Sequence, residues 1–253
     1  MSELSFVFIL LLLGTGLVAG IINTMAGGGS NLTLPALMLL GLPADIANAT
    51  NRVGVFLQSL VGVHGFYKHG KLELSDTGPI LIPTLAGTLV GTLAASFFPP
   101  VYLKPVLVGT MIGMALVILV RPATVIPTPG EPHRTLRFNT KPWWLLFCSG
   151  LYGGFVQAGV GFILIAALAG GLRYDLVRTN ALKMFCTGVL TVLALSIFVV
   201  RGQVMWVPGL VLAAGTMVGA RLGVSLALKV SQNTLKWFLF LMTLFAGVAA
   251  LLF

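Results

Sequence analysis

Charge is what this chain has least of. Of its 253 residues only 8% are charged, six are acidic and two are cysteine. A soluble domain carries about a quarter charged residues, so a mean hydropathy of +1.03 with 57% apolar residues excludes one and leaves a polytopic membrane protein. The six acids, Glu3, Asp45, Glu73, Asp76, Glu131 and Asp175, all fall in loops or at segment ends. No carboxylate therefore sits mid-membrane to coordinate Na⁺ or H⁺, as in many cation-driven carriers. Cys148 and Cys186 lie in apolar runs without CxxC spacing and read as packing residues. His64, His69 and His133 share no ligand spacing, so neither a metal site nor a cofactor is expected. The net charge of +9 comes from residues scattered at segment ends with no nucleic-acid-binding motif, so it serves bilayer orientation and no nucleic-acid partner is expected.

What is present is a unit used twice. Gly16-Leu-Val-Ala-Gly20, Gly27-Gly28-Gly29-Ser30-Asn31, Gly41-Leu-Pro-Ala-Asp45 and Thr50-Asn51-Arg52 recur in order as Gly150-Leu-Tyr-Gly-Gly154, Gly159-Val-Gly161, Gly171-Leu-Arg-Tyr-Asp175 and Thr179-Asn180. The parallel continues from Phe66–Leu72 to Phe198–Val204, from Ala86–Gly91 to Ala214–Gly219, and from Leu103-Lys104 to Leu235-Lys236. A duplicated apolar unit interrupted by glycine at matching positions points to a membrane carrier with its site at the repeat interface.

The expected organisation is a first transmembrane repeat over 1–121, a Pro-rich cytoplasmic linker over 122–142 and a second repeat over 143–253. Full spans need about 20 apolar residues and are expected at 5–25, 48–67, 79–98, 101–120, 143–159, 177–199, 206–228 and 233–253. Residues 30–42 and 162–171 are too short and read as half-helices after the glycine breaks. The apolar run Leu4–Leu13 resembles a signal-peptide core, but no basic region precedes it and its continuation matches an internal segment, so it is expected to be retained. The fold class is thus all-α, with about eight full helices and two broken ones.

Charge orients the repeats. Arg121, Arg134, Arg137 and Lys141 in the linker, Lys68, His69 and Lys71 before it, and Arg173, Arg178, Lys229 and Lys236 after it share one face only if the halves are inverted; Lys104 and Arg201 then fall outside. Both termini are expected outside.

The binding candidates cluster at the breaks. A helix opening at Gly28-Gly29-Ser30-Asn31 leaves N–H groups without intrahelical acceptors, which is an anion site; close helix packing is the competing explanation. Gln157 and Gly161 mark the second break. Thr50, Asn51 and Arg52, with Thr179, Asn180 and Lys183, supply hydroxyl, amide and cation within about a turn, suited to an oxyanion, although Thr is also a good N-cap. A cation one turn into an apolar helix is costly unless paired or hydrated. Asp45 and Asp175 read as caps or partners of cations, His64 as a hydrogen-bonding strut, and Arg221 either lines an anion pathway or snorkels.

The glycine pattern from Gly16 to Gly29 with Pro35-Ala-Leu, Gly41-Leu-Pro, Ala49-Thr50-Asn51-Arg52 and a weaker copy ending in Asn180-Ala-Leu-Lys183 resembles the TauE/SafE family over essentially the whole chain. The second motif departs from that pattern, with Gly159-Val-Gly161-Phe162 where a fuller GxGGG is usual. The resemblance implies a transporter of the bacterial cytoplasmic membrane for a small sulfur-containing anion, sulfite or an organosulfonate. A secondary carrier alternating access between the two broken helices is the leading expectation, with proton coupling and oligomeric state left open. The alternatives are an anion channel or an intramembrane enzyme, for which Ser59, His64 and Cys186 have no partner spacing.

Overall fold

The computed structural model describes residues 6–74, 77–99 and 134–231 apart from 139, with isolated positions between 102 and 109 and at 234 and 237. Apart from those isolated positions the expected spans 101–120 and 233–253 lie outside the described residues, as do linker residues 122–133 and Glu3, Asp76, Lys104, Arg121, Glu131, His133 and Lys236. The described chain is all-helical: α1 (Phe6–Met25), α2 (Ser30–Leu39), α3 (Ala44–Lys68), α4 (Thr77–Phe97), α5 (Lys141–Phe155), α6 (Val160–Ile165, continued by a π-helical turn over Ala166–Gly171), α7 (Leu176–Val200) and α8 (Trp206–Lys229).

Both halves run helix, break, short helix, long helix, helix. The breaks fall at the matching glycines. Gly27 (φ 96°) and Gly159 (φ 75°) adopt left-handed backbone, which ends α1 and α5 and turns the chain back on itself. The second half differs from expectation here, since α5 stops at Phe155 instead of reaching 159. α3 also starts earlier than expected. Pro43, its φ fixed by the ring at −54°, occupies the N-cap with extended backbone (ψ 151°), so the helix begins at Ala44 and Thr50 to Arg52 lie in its second and third turns.

Helices α1, α4, α7 and α8 are long and apolar enough to cross a bilayer. α3, at 25 residues, has the length but not the apolarity, because it buries Asn48, Thr50, Asn51, Arg52, Gln58 and Ser59 inside the bundle. The surface shows the converse: Phe6, Leu10, Ile82, Val90, Val200 and Val218 are exposed. Polar groups inside and apolar groups outside is how a bundle meets lipid.

Small residues set the packing. A methyl built on Gly16 or Gly20 of α1 would lie 2.7 Å from Leu212 O or 3.0 Å from Ala220 N of α8, and one on Gly219 3.0 Å from Ile21 N. On α4 and α5, a methyl on Gly87 would lie 2.7 Å from Leu151 N and one on Gly154 2.9 Å from Thr92 N. Glycines four apart thus bring backbones into contact where lipid offers no hydrophobic drive. The first helix of each half packs on the last described helix of the other.

The register of these contacts fixes direction. α1 and α8 ascend together, as do α4 and α5. α3 also runs with α8, joined by Met205 N–H to Thr50 Oγ1 (3.0 Å) and Thr216 Oγ1–H to Gly54 O (3.1 Å). α3 opposes α7, because Gly62 meets Met184 while Arg52 meets Phe198. α4 runs with α7: Arg201 reaches Ser96 O at one end and Arg178 reaches Glu73 at the other. The matched pairs α1/α5, α3/α7 and α4/α8 therefore run oppositely, consistent with an inverted repeat.

Candidate functional site

The two breaks touch. A methyl on Gly27 would lie 2.5 Å from Gly161 Cα, and one on Gly28 would lie 2.7 Å from the Phe162 ring. Residues 26–30 and 156–162 are buried. Among the described residues no backbone acceptor serves the N–H groups of Gly28, Gly29 and Ser30, or those of Ala158, Gly159 and Gly161. Buried N–H groups without a protein acceptor are rare, and here six lie on two segments in contact.

Side chains tie the short helices to the long ones. Thr33 Oγ1–H donates to Asn51 Oδ1 (2.6 Å), and Asn51 Nδ2–H donates to Ser30 Oγ (3.1 Å). Asn51 thus clamps the first turn of α2 to α3. In the second half Gln157, held in left-handed backbone (φ 65°), donates from Nε2 to Thr191 Oγ1 (2.9 Å), leaving Oε1 without a partner. Asn31 Oδ1 and Asn180 Nδ2 are likewise buried without partners.

Among the described residues two cations are buried, and each is paired with backbone carbonyls of the other half. Arg52, 0% exposed, donates from its two terminal nitrogens to Gly153 O (3.1 Å) and Gly154 O (2.6 Å) and stacks its guanidinium 4.9 Å over Phe198. Lys183, 1% exposed, donates to Asn23 O (2.8 Å), Thr24 O (3.0 Å) and Asn180 Oδ1 (2.7 Å). Each cation sits at the carbonyl end of the broken helix of the opposite half. That end carries partial negative charge and unmet acceptors, which is how such cations are tolerated in a bundle. Of Arg52 only Nε is left without a partner.

The capping reading of the threonines does not hold. Asp175 is the N-cap of α7, accepting from Val177 N and Arg178 N at 3.0 Å each, and Thr179 Oγ1–H bonds Tyr174 O (3.2 Å). Thr50 lies inside α3 and accepts from Met205 at the start of α8. Asp175 also approaches Arg178 at 3.8 Å, as expected of a cap and cation partner, whereas Asp45 Oδ1 has no partner. His64 is exposed on α3 and Arg221 on α8, so Arg221 does not line the interior. Sequence reasoning also missed Asn48, which is fully buried and donates to Phe155 O (2.8 Å), the last residue of α5. Its place one turn before Arg52, on the same helix face, is the available clue. Among the described residues no group of three or more metal-ligating side chains occurs.

A family model described as "Sulfite exporter TauE/SafE" matches residues 12–250. The chain is 28% identical to "Probable membrane transporter protein YfcA" of Escherichia coli (strain K12), over 87% of this chain and 81% of that protein. It is 27% identical to a "Probable membrane transporter protein" of Haemophilus influenzae, over 87% and 86%, and 25% identical to "Probable membrane transporter protein ORF9" of Sinorhizobium sp, over 93% and 89%. Two halves of matching helix order, each broken at glycine and carrying an amide and a cation on its long helix, therefore belong to a multi-pass bacterial membrane transporter, and the chain is a member of the TauE/SafE family.

Proposed function

We propose that the protein is a secondary carrier for a small sulfur-containing oxyanion, sulfite or an organosulfonate, bound where the two breaks meet. The observation that carries this is the six acceptor-free N–H groups on the touching segments 28–30 and 158–161. N–H groups at a helix start bind anions, and an oxyanion satisfies several at once. Gly28, Gly29, Ser30, Asn31, Gln157 and Gly161 form the contact shell. Asn51 positions Ser30, and Asn180 offers its free Nδ2. Arg52 and Lys183 contribute positive potential from behind, since their own hydrogen bonds are committed to helix ends; Thr50 and Thr179 hold the long helices. The tight meeting of Gly27 and Gly161 corresponds to a closed state, and transport requires the short helices to part on alternate sides. Either a proton rides on the substrate itself or transport runs down the gradient, since no Asp or Glu is among the fully buried side chains of the described residues.

Orientation follows from charge. Lys68, Lys71, Arg134, Arg137, Lys141, Arg173, Arg178 and Lys229 gather at one end of the bundle, and among the described residues Arg201 is the loop cation at the other. The basic end is cytoplasmic by the positive-inside rule.

The test is a thermal-shift and proteoliposome uptake screen of purified protein against sulfite, thiosulfate, taurine, isethionate, sulfoacetate and sulfate, with carboxylates as controls. Saturable uptake of a sulfur oxyanion with counterflow is expected. Equal response to carboxylates would remove the substrate assignment, and single-channel currents would replace the carrier by a channel.

A further inference from the structure

Lys183 lies where a carrier with broken helices commonly holds a metal cation. The last carbonyls of an interrupted helix point past its end and coordinate Na⁺ in such carriers. Here α1 ends at Met25, and the carbonyls of Asn23 and Thr24, joined by Asn180 Oδ1, converge on one point at 2.8, 3.0 and 2.7 Å. That point is the Lys183 ammonium. Among the described residues no acid pairs with Lys183, and the salt bridges join Arg178 to Glu73 and Asp175 at the protein surface. The three oxygens and the negative end of α1 balance its charge.

We propose that Lys183 is a tethered cation occupying a monovalent-cation subsite made by Asn23 O, Thr24 O and Asn180 Oδ1. The separations suit an ammonium or K⁺-sized ion better than a smaller one. A neutral cage binds a free ion weakly, and the tether overcomes this by holding its cation at high effective concentration. The protein therefore closes the end of α1 without recruiting Na⁺ or K⁺, and transport needs no metal cation at this place. Lys183 acts through the helix it closes, so it is a positioning residue. The inference rests on the carrier reading only for this consequence for coupling, since the subsite is read from the geometry alone.

The experiment measures melting of purified Lys183→Ala in detergent, in the chlorides of N-methylglucamine, Li⁺, Na⁺, K⁺ and methylammonium at equal ionic strength. Methylammonium reproduces the tip of the deleted side chain. The variant is expected to melt below wild type in N-methylglucamine and to recover by about 1–2 °C in methylammonium or K⁺, as weak binding dictates, while wild type shows no such preference. A second variant, Lys183→Ala with Asn180→Asp, restores a balanced charge and is expected to recover at lower cation concentration. Identical melting of both variants in every salt overturns the proposal, as does failure of both to fold in methylammonium or K⁺. No substrate is used, so a negative oxyanion screen leaves this result untouched, and the reverse also holds.

Discussion

Gly27 and Gly161 meet backbone to backbone: a methyl on Gly27 would fall 2.7 Å from the Gly161 carbonyl carbon, and one on Gly161 would fall 2.7 Å from Gly27 O. Backbone cannot yield as the tip of a side chain can, so the contact tolerates no Cβ on either side. Gly161→Ala is expected to destabilise the protein by about 1–3 kcal/mol through overpacking, and Gly27→Ala by more, because its φ of 96° also disfavours a side chain. Gly14→Ala, with nothing within 4 Å, is the matched control and should be neutral or stabilise by up to about 1 kcal/mol. Melting of the three purified variants decides this; equal effects at positions 14 and 161 would mean that the breaks are not in contact.

Arg52 holds two carbonyls with one planar group, which a lysine cannot imitate. Arg52→Met leaves Gly153 O and Gly154 O without their charged donor and should cost about 2–4 kcal/mol. Arg52→Lys should recover only part of this. Denaturation in a mild detergent series reads the order; full rescue by lysine would show that charge alone, not the paired geometry, closes α5.

Asn51 and Asn180 occupy matching positions but have different duties. Asn51 joins Ser30 and Thr33 to α3, so Asn51→Ala is expected to lower stability by about 1–2 kcal/mol and abolish oxyanion uptake. Asn180 accepts from Lys183 and keeps Nδ2 free. Asn180→Asp retains the acceptor and removes the donor, so it should spare folding while weakening uptake. Proteoliposome flux beside melting separates the two, and unchanged flux in Asn180→Asp would take that residue out of the binding shell.

Topology is testable with thiols. In a background lacking Cys148, which is exposed, and Cys186, which is buried, a single cysteine replacing Lys71 or Arg173 should react with an impermeant maleimide only in inside-out vesicles. A cysteine replacing Gly202 should react only from the opposite face. The same sidedness at 71 and 202 would contradict the assigned orientation.

The two breaks and the order of helices were legible because glycine, repeated at matching places in an apolar chain, leaves a pattern that one sequence displays. The start of α3 was not, since Pro43 acts through the conformation it imposes and the Thr50–Arg52 motif draws the eye inward. The partners of Arg52 and Lys183 were hidden for a deeper reason. They are backbone carbonyls about 100 and 160 residues away along the chain, and a carbonyl has no letter in the sequence. The expense of a cation inside an apolar helix signalled that a partner existed, without saying which. GxxxG faces at Gly16/Gly20 and Gly150/Gly154 were visible as spacing, but only their contacts with α8 and α4 distinguish packing glycines from those that end a helix.

The interlacing of α1 with α8, and of α5 with α4, bears on how the chain matures. α1 enters the bilayer well before α8, yet the grooved face made by Gly16 and Gly20 finds its mate only when the intervening helices have been made. Until then that face must wait against lipid or an insertion chaperone. Biogenesis of the two halves is thereby welded into one event, and neither is expected to mature as an independent unit.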